Sequence, residues 1–272
     1  MIKLPIKIVQ LLWSCGNNKV EHLNGYDKEL SKATFDIVST SPFVIQTDSV
    51  SILLTRDEND PNIENYQYAV LTNKKPRKSE FLKGNILSIR WIKHPTFTTL
   101  HPNEIAASWK ERFLYRKEDI PNSIFGLRAP QLGAIYAFMS KAQIHHGRNI
   151  IVMPTGTGKT ETMLSILIAN QCPKVLITVP SDALRAQLAN KFITLGILPK
   201  YEIVASDCIY PNVGIVKEGM DYNGWHSLIE KSNVIITTMP LITNSESTII
   251  DLLRANISHL LIDESHHSEA KT

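Results

Sequence analysis

The segment that most constrains the fold of this chain is residues 153–160, which read Met-Pro-Thr-Gly-Thr-Gly-Lys-Thr. It follows the apolar run Ile150-Ile151-Val152 and precedes apolar residues at helical spacing, namely Met163, Leu164, Ile166 and Leu167. This order predicts a strand, a glycine-bearing loop and the N-terminus of a helix. The loop departs from the GxxxxGK[ST] pattern at one position only, because Met153 stands where Gly or Ala is usual.

The residue types in this loop suit the binding of phosphate groups. Gly156 and Gly158 let the backbone fold around phosphate oxygens, and the amides of the first helical turn point at the same place. Lys159 can reach the β- and γ-phosphates, and the Thr160 hydroxyl can ligate Mg²⁺. ATP and Mg²⁺ are the predicted cofactors, and the predicted binding residues are Thr155, Gly156, Thr157, Gly158, Lys159, Thr160 and Glu161. The alternative is a Gly-Thr-Gly turn that only joins a strand to a helix.

A second acidic signal lies about a hundred residues later, where an apolar run ends in Asp263 and Glu264. Open α/β sheets bind ligands at the carboxyl ends of their strands, so this run would deliver both carboxylates beside the glycine loop. Asp263 is predicted to hold Mg²⁺ through its water shell, and Glu264 to orient and deprotonate the attacking water. With Lys159 these form the predicted catalytic set. An Asp-Glu pair at a strand end can also be a solvated turn.

Charge and cysteine usage exclude several classes of protein. With 29 Lys+Arg against 26 Asp+Glu the chain carries a formal charge of +3, so any contact with nucleic acid must be local rather than a general coating by charge. Three widely separated cysteines and two His-His pairs form no legible disulfide framework or zinc site. A cytoplasmic protein with no membrane contact is expected.

The chain changes character near residue 120, and two domains are predicted. Residues 1–120 contain short β-rich runs at residues 43–46, 50–55, 66–72 and 86–92, which indicate an accessory β-rich or α+β domain. Residues 103–115 have helical spacing, and a linker is placed in the charged segment that follows.

Residues 121–272 alternate helical stretches with nearly continuous apolar runs, at residues 149–153, 174–179, 234–238 and 259–263. Such runs are typical of strands that are buried on both faces of a parallel sheet with helical crossovers. The fold class predicted for this domain is α/β, a parallel sheet with flanking helices.

A basic cluster in the first domain has two interpretations. It contains one acid, Glu80, among the cations Lys74, Lys75, Arg77, Lys78, Lys83, Arg90 and Lys93. The cluster could follow a phosphate backbone, or it could be a solvated loop between two strands.

Five ordered motifs in residues 123–272 resemble the superfamily-2 helicases and translocases of the DEAD/DEAH kind, nearest to the restriction-enzyme-like group. The motifs are GLRAPQ at 126–131, the P-loop at 155–160, VPSDALRAQ at 179–187, TTMP at 237–240 and DESH at 263–266. A helicase-related group of bacterial antiphage defence islands is also similar over residues 127–154 and 174–188.

The resemblance implies a role for each matching residue. Gln131 corresponds to the adenine-recognising glutamine, and His266 to the residue that couples the nucleotide site to the facing side of the cleft. Pro180, Ser181, Arg185, Thr237 and Thr238 correspond to contacts with a nucleic-acid backbone. Phosphate contacts carry no sequence information, so sequence-independent binding is expected, with DNA favoured over RNA. Ser181 is also a plain N-cap residue, and both roles can hold together.

The resemblance implies that the α/β domain is a RecA-like P-loop parallel sheet with flanking helices, the first motor lobe. Motors of this family have two stacked lobes, and the second lobe supplies arginine fingers. We therefore expect the chain to be the N-terminal portion of a longer helicase, with its first lobe truncated after the Asp-Glu box and with negligible turnover by itself. The partners implied are nucleic acid, the second RecA-like lobe and a nuclease or other defence-system subunit. The alternatives are a nucleotide-gated switch or a protein remodeller that uses the same P-loop core without nucleic acid.

Overall fold

The computed structural model describes residues 2–15, 18–27, 29–97, 100–144, 147, 150–154 and 156–263. Its strands are β1 Lys7–Cys15, β2 Asn18–Tyr26, β3 Asp36–Thr40, β4 Phe43–Gln46, β5 Ser51–Thr55, β6 Tyr68–Thr72, β7 Ser88–Lys93, β8 Val175–Val179, β9 Val213–Ile215, β10 Val234–Thr238 and β11 His259–Ile262. Its α-helices are α1 Lys78–Leu82, α2 Pro102–Ser108, α3 Ala129–Ile144, α4 Lys159–Ala169, α5 Asp182–Thr194, α6 Tyr222–Lys231, α7 Met239–Thr243 and α8 Ser247–Asn256.

The backbone divides into two compact units. The first unit comprises Met1–Leu11 and Glu21–Thr99, and the second comprises Leu12–Val20 and Leu100–Thr272. Residues 100–120, which the sequence assigned to the first domain, thus group with the second unit. The reason is tertiary: the Trp109 indole Nε1 donates to the Ile209 carbonyl at 2.7 Å, and Phe113 forms a β-bridge with Val204.

The first unit is built on a five-stranded sheet in the order β3-β4-β5-β6-β7. Only β5 and β6 are parallel; the other neighbours are antiparallel. Four fully buried side chains form the centre of its core, and they are Ile45, Ile52, Val70 and Trp91. The four β-rich runs predicted from the sequence are confirmed as β4, β5, β6 and β7.

The second unit contains a six-stranded sheet in the order β1-β2-β9-β10-β8-β11. The neighbours β9, β10, β8 and β11 are all parallel, with Thr178 opposite both Thr237 and Ile262. Helices α6 and α8 pack on the face that carries Leu176 and Ile235. The predicted α/β class with a parallel sheet and helices is confirmed.

The predicted strand at residues 149–153 is wrong for its described part, residues 150–153. These residues join no strand, and the Ile150 and Val152 side chains are 66% and 88% exposed. A strand needs a neighbour for its amides and carbonyls. The sheet order ends at β11, whose only neighbour in the described chain is β8. Strand β11 is also not buried on both faces as predicted, because Leu260 and Ile262 are exposed.

The helix predicted over residues 103–115 is shorter than expected. Helix α2 ends at Ser108, and Glu111 has a φ of 61°. That left-handed backbone conformation interrupts a right-handed helix. In the described residues no helix is long and apolar enough to cross a membrane.

Candidate functional site

The glycine loop leads directly into helix α4. Gly156 and Gly158 have φ values of 81° and 90°, a region that glycine enters without steric cost. Gly158 is the N-cap residue of α4 and has no side chain with which to cap it, so the first amides of the helix are left for another acceptor. Lys159 and Thr160 are the first two residues of the helix and are half-buried. Thr155 lies outside the described residues.

Helix α4 is fixed in the second unit by its apolar face. Leu164, Leu167 and Ile168 are almost fully buried. Thr157, one residue before Gly158, donates its hydroxyl to the Pro154 carbonyl at 2.6 Å and so closes the loop on itself. The loop therefore has a defined local shape at the start of a well-anchored helix.

Two side chains of the GLRAPQ segment hold the glycine loop from the side. The Gln131 side-chain oxygen accepts from the Arg128 amide at 2.8 Å, and its Nε2 donates to the Gly158 carbonyl at 3.2 Å. The Arg128 guanidinium donates to the Gly156 carbonyl at 3.0 Å. Gln131 is only 4% exposed, and a Cβ at Gly158 would clash with its amide. Glycine is thus required at position 158 for two reasons: the positive φ, and the lack of room for a Cβ beside Gln131.

Glu161 makes an ion pair rather than facing solvent. Its carboxylate is 2.7 Å from the Lys191 ammonium, which joins α4 to α5. A carboxylate this buried is stabilised by its cationic partner. The predicted role of Glu161 in nucleotide binding stays a prediction.

Asp263 follows β11 at the carboxyl edge of the parallel strands. Its amide donates to the Thr178 carbonyl on β8 at 3.0 Å, so the residue is held beside the end of that strand. Ser181, the N-cap residue of α5, follows the last residue of β8 by two positions. Glu264 and His266, predicted as the catalytic base and the coupling residue, lie outside the described residues.

The available donors fit Mg²⁺ better than a transition metal. Thr160 and Asp263 offer a hydroxyl and a carboxylate, and Mg²⁺ is usually held by one or two carboxylates together with phosphate oxygens and water. Within the described ranges no cluster of three or more His, Cys, Asp or Glu residues could hold a metal.

The residues expected to contact a nucleic-acid backbone differ in accessibility. Pro180 and Ser181 are exposed, and the Ser181 hydroxyl accepts from the Leu184 amide at 3.4 Å, which makes it the N-cap of α5. Thr237 and Thr238, at the end of β10, are 0% and 8% exposed. The Thr237 hydroxyl has no hydrogen-bond partner in the described part of the chain.

Arg185 is also buried, with 6% exposure. It lies on the core face of α5 with Leu188, Ala189 and Phe192, and its guanidinium donates to the Val216 carbonyl at 3.0 Å. These four residues are spaced so that they share one helix face. The predicted phosphate contact of Arg185 stays a prediction.

Sequence reasoning missed two residues of this site. Arg128 lies in the GLRAPQ motif three residues before Gln131, but the motif by itself gives it no role; its contact with the Gly156 carbonyl is seen only in the structure. Lys191 gave no signal, because its partner Glu161 is thirty residues away.

The fold and the loop define a class, a mixed α/β domain with a parallel sheet whose glycine loop opens a helix. Residues 124–272 match the family described as type III restriction enzyme, res subunit. The match covers more than half of the 272-residue chain, and the chain belongs to this family. The domain of this family is a superfamily-2 helicase-like N-terminal motor domain, so the predicted resemblance to restriction-enzyme-like superfamily-2 helicases is confirmed. A search of curated proteins finds no match to the chain.

Proposed function

We propose that the second unit is the ATP-binding first lobe of a nucleic-acid helicase or translocase. The observation that carries this proposal is the glycine loop, held by Arg128 and Gln131 at the uncapped N-terminus of α4. The family supports it, because the family indicates an ATP-dependent helicase-like motor domain.

In this proposal each residue of the loop has a defined task. The backbone at Thr155, Gly156, Thr157 and Gly158 surrounds the phosphates, and Lys159 pairs with the β- and γ-phosphate oxygens. Thr160 and Asp263 hold Mg²⁺, which when bound neutralises part of the phosphate charge. Glu264 takes a proton from the attacking water. Gln131 recognises adenine in this proposal. It also positions the loop, because its Oε1 accepts from the Arg128 amide and its Nε2 donates to the Gly158 carbonyl.

The nucleic-acid part of the proposal rests on the exposed start of α5. Pro180 and Ser181 lie where the first amides of α5 can receive a phosphate oxygen, and Thr238 ends the neighbouring strand. A second RecA-like lobe completes the proposed motor, and a nuclease or another defence subunit is its proposed partner. The motor works in the cytoplasm, on DNA in preference to RNA.

Nucleotide binding is tested first, by titrating the chain with a fluorescent ATP analogue in the presence of Mg²⁺. Lys159→Ala removes one charge-assisted contact worth about 1.5–3 kcal/mol, so the affinity should fall roughly tenfold to a hundredfold. Lys200→Ala, at an exposed position in the same unit, is the matched control. Equal affinities of the Lys159→Ala and wild-type chains would reject the proposed site.

Strand binding is tested by the anisotropy of labelled single- and double-stranded DNA and RNA, with and without the nucleotide. Ser181→Asp keeps a good N-cap but adds a negative charge, whereas Ser181→Asn keeps the cap without charge. The proposal expects binding to weaken in the Asp variant alone. If the nucleotide binds and no nucleic acid does, the switch or remodeller replaces the motor.

ATP hydrolysis is then measured for the chain with each nucleic acid, with Lys159→Ala as the blank. A second lobe supplies an arginine finger in motors of this kind, and that finger contributes about 10³–10⁵ in rate, so we expect the rate of residues 1–272 by themselves to be close to the blank.

A further inference from the structure

A groove in the first unit lies between strand β3 and the short helix α1. Its volume is about 580 Å³, and it is lined by residues 35–40 on one side and by Lys78, Phe81 and Leu82 on the other. Strand β3 is the last strand in the order of its sheet, so among the described residues no further strand of that sheet pairs with its outer edge. None of the residues that line the groove belongs to the glycine loop or is assigned to the motor.

The groove exposes apolar side chains on both of its walls. Val38 is 59% exposed and Leu82 is 71% exposed. Beneath them Ile37 and Phe81 pack against the core of the first unit, and the Phe81 ring lies 6.1 Å from the Phe43 ring. Exposed aliphatic side chains over an anchored floor are typical of a binding groove.

Basic residues lie on helix α1 and beside it in the sequence, and one of them, Lys78, lines the groove, whose opposite wall carries the acid Asp36. Five exposed basic side chains occur within ten residues, against the single acid Glu80, and they are Lys74, Lys75, Arg77, Lys78 and Lys83. In the described part of the chain none of these five forms an ion pair. Their charge is therefore available to a ligand, and a ligand that complements it must be acidic.

We propose that this groove binds an extended peptide segment of a partner protein, in which acidic residues alternate with apolar ones. Successive side chains of an extended peptide point to opposite sides, so one set can cover Val38 and Leu82 while the other meets the cations. The open edge of β3 can receive backbone hydrogen bonds from such a segment. A bulge between Ile37 and Ser39 interrupts the regular ladder, so the side-chain groove carries most of the recognition.

A peptide suits the groove better than a nucleic acid does. The most exposed apolar side chains, Val38 and Leu82, offer no planar face on which a base could stack, and the two rings that line the groove, Phe35 and Phe81, are partly buried against the core of the unit. A phosphate backbone would pair with the cations and leave Val38 and Leu82 uncovered.

The experiment is a selection of random twelve-residue peptides displayed on phage, with the complete 272-residue chain as bait. The enriched peptides are then synthesised with a fluorophore, and their affinities are measured by anisotropy. We expect sequences in which Asp or Glu alternates with Leu, Val or Ile. Leu82→Asp should weaken their binding by about tenfold or more, as is typical when a buried anchor is lost, and Lys78→Glu should weaken it in a salt-dependent way.

The matched control is Leu87→Asp, a substitution at a 60% exposed leucine of the same unit that does not line the groove. It should leave the peptide affinity unchanged. Because Leu82 is exposed, Leu82→Asp should keep the fold, and amide exchange of β4 and β5 in both variants verifies this. Lys159→Ala should also leave peptide binding intact, so this proposal and the motor proposal can fail separately.

Three outcomes would overturn the proposal. Selection could enrich no peptide, or the enriched peptides could bind Leu82→Asp and Leu87→Asp equally well. Labelled DNA or RNA could bind in place of peptides and lose affinity on Lys78→Glu but not on Leu82→Asp. The last result would identify the basic cluster as a nucleic-acid contact.

Discussion

The two sheets of this chain differ in where they leave binding surface. In the second unit the neighbours β9, β10, β8 and β11 are all parallel, so their carboxyl ends and the loops that follow collect at one edge. In the first unit three of four strand pairs are antiparallel, so its loops are shared between both ends of the sheet. Its groove lies along the open edge of β3 instead. In this chain strand direction therefore places the proposed nucleotide site at strand ends and the proposed peptide groove beside an edge strand.

The largest expected effect tests whether the two sheets have separate cores. Trp91 is fully buried in the first unit, and its indole donates to the Pro5 carbonyl at 2.8 Å. Trp91→Ala should lower the free energy of unfolding of this unit by about 3–5 kcal/mol. Hydrogen exchange should show loss of protection in β4 to β6 while β8 and β10 keep theirs. Ile89→Ala, on the same strand but 52% exposed, is the control, and equal loss in both sheets would contradict the comparison.

The second prediction concerns the glycine loop, which belongs to the unit with the parallel strands. Gly158→Ala places a Cβ at a φ of 90° against the Gln131 amide, which should cost about 1–3 kcal/mol and abolish nucleotide binding. Gly133→Ala, in open space on α3, should instead stabilise by roughly 0.5–1 kcal/mol. Denaturant unfolding and nucleotide titration measure both effects. Changes of opposite sign in the free energy of unfolding for the two variants support the loop geometry, whereas similar changes would refute it.

A third prediction concerns the ion pair between helix α4, which precedes β8 in the chain, and helix α5, which follows it. Lys191→Met leaves the Glu161 carboxylate buried without its partner, which should cost about 1–3 kcal/mol of unfolding free energy. Glu161→Gln should cost less, because the amide is neutral. Arg254→Gln removes an exposed pair with Asp251 and should change stability by less than about 0.5 kcal/mol. If a double-mutant cycle shows no coupling energy between positions 161 and 191, the Glu161–Lys191 ion pair does not stabilise the fold.

The smallest effect is a pH dependence of the first unit. Burial lowers the pKa of His94, although the hydrogen bond to Asp27 at 3.0 Å opposes the shift. The folded unit therefore holds His94 neutral, while the unfolded chain takes up a proton below about pH 6.5, so stability is lost as the pH falls through that value. The slope should not exceed about 1.4 kcal/mol per pH unit for this residue.

Asp27→Asn sharpens this test, because it removes the group that raises the pKa of His94. Denaturant unfolding between about pH 7 and pH 5 should then show a larger loss than in the wild-type chain. His226→Gln, at an exposed histidine of the second unit, serves as the control. An unchanged pH dependence in Asp27→Asn would show that Asp27 does not act on His94.

Local patterns predicted those elements whose cause is local. The strands β8 and β10 are continuous runs, β-branched at every position except Leu176, and both are buried along their whole length as expected. Glycines 156 and 158 were expected to let the backbone turn tightly, and both have positive φ. The helix predicted over residues 103–115 is too long, because the apolar residues keep helical spacing past Ser108 while the helical backbone conformation ends there.

The sequence by itself determined the chemistry of the loop: its residue types, their order and the family that they indicate. Tertiary structure alone decided which groups support that loop. Arg128 and Gln131 reach Gly156 and Gly158 from some 27 residues away, a contact that no periodicity reveals. The same holds for residues 150–153, whose apolar pattern favours a strand, because a strand forms only where another strand can satisfy its backbone hydrogen bonds.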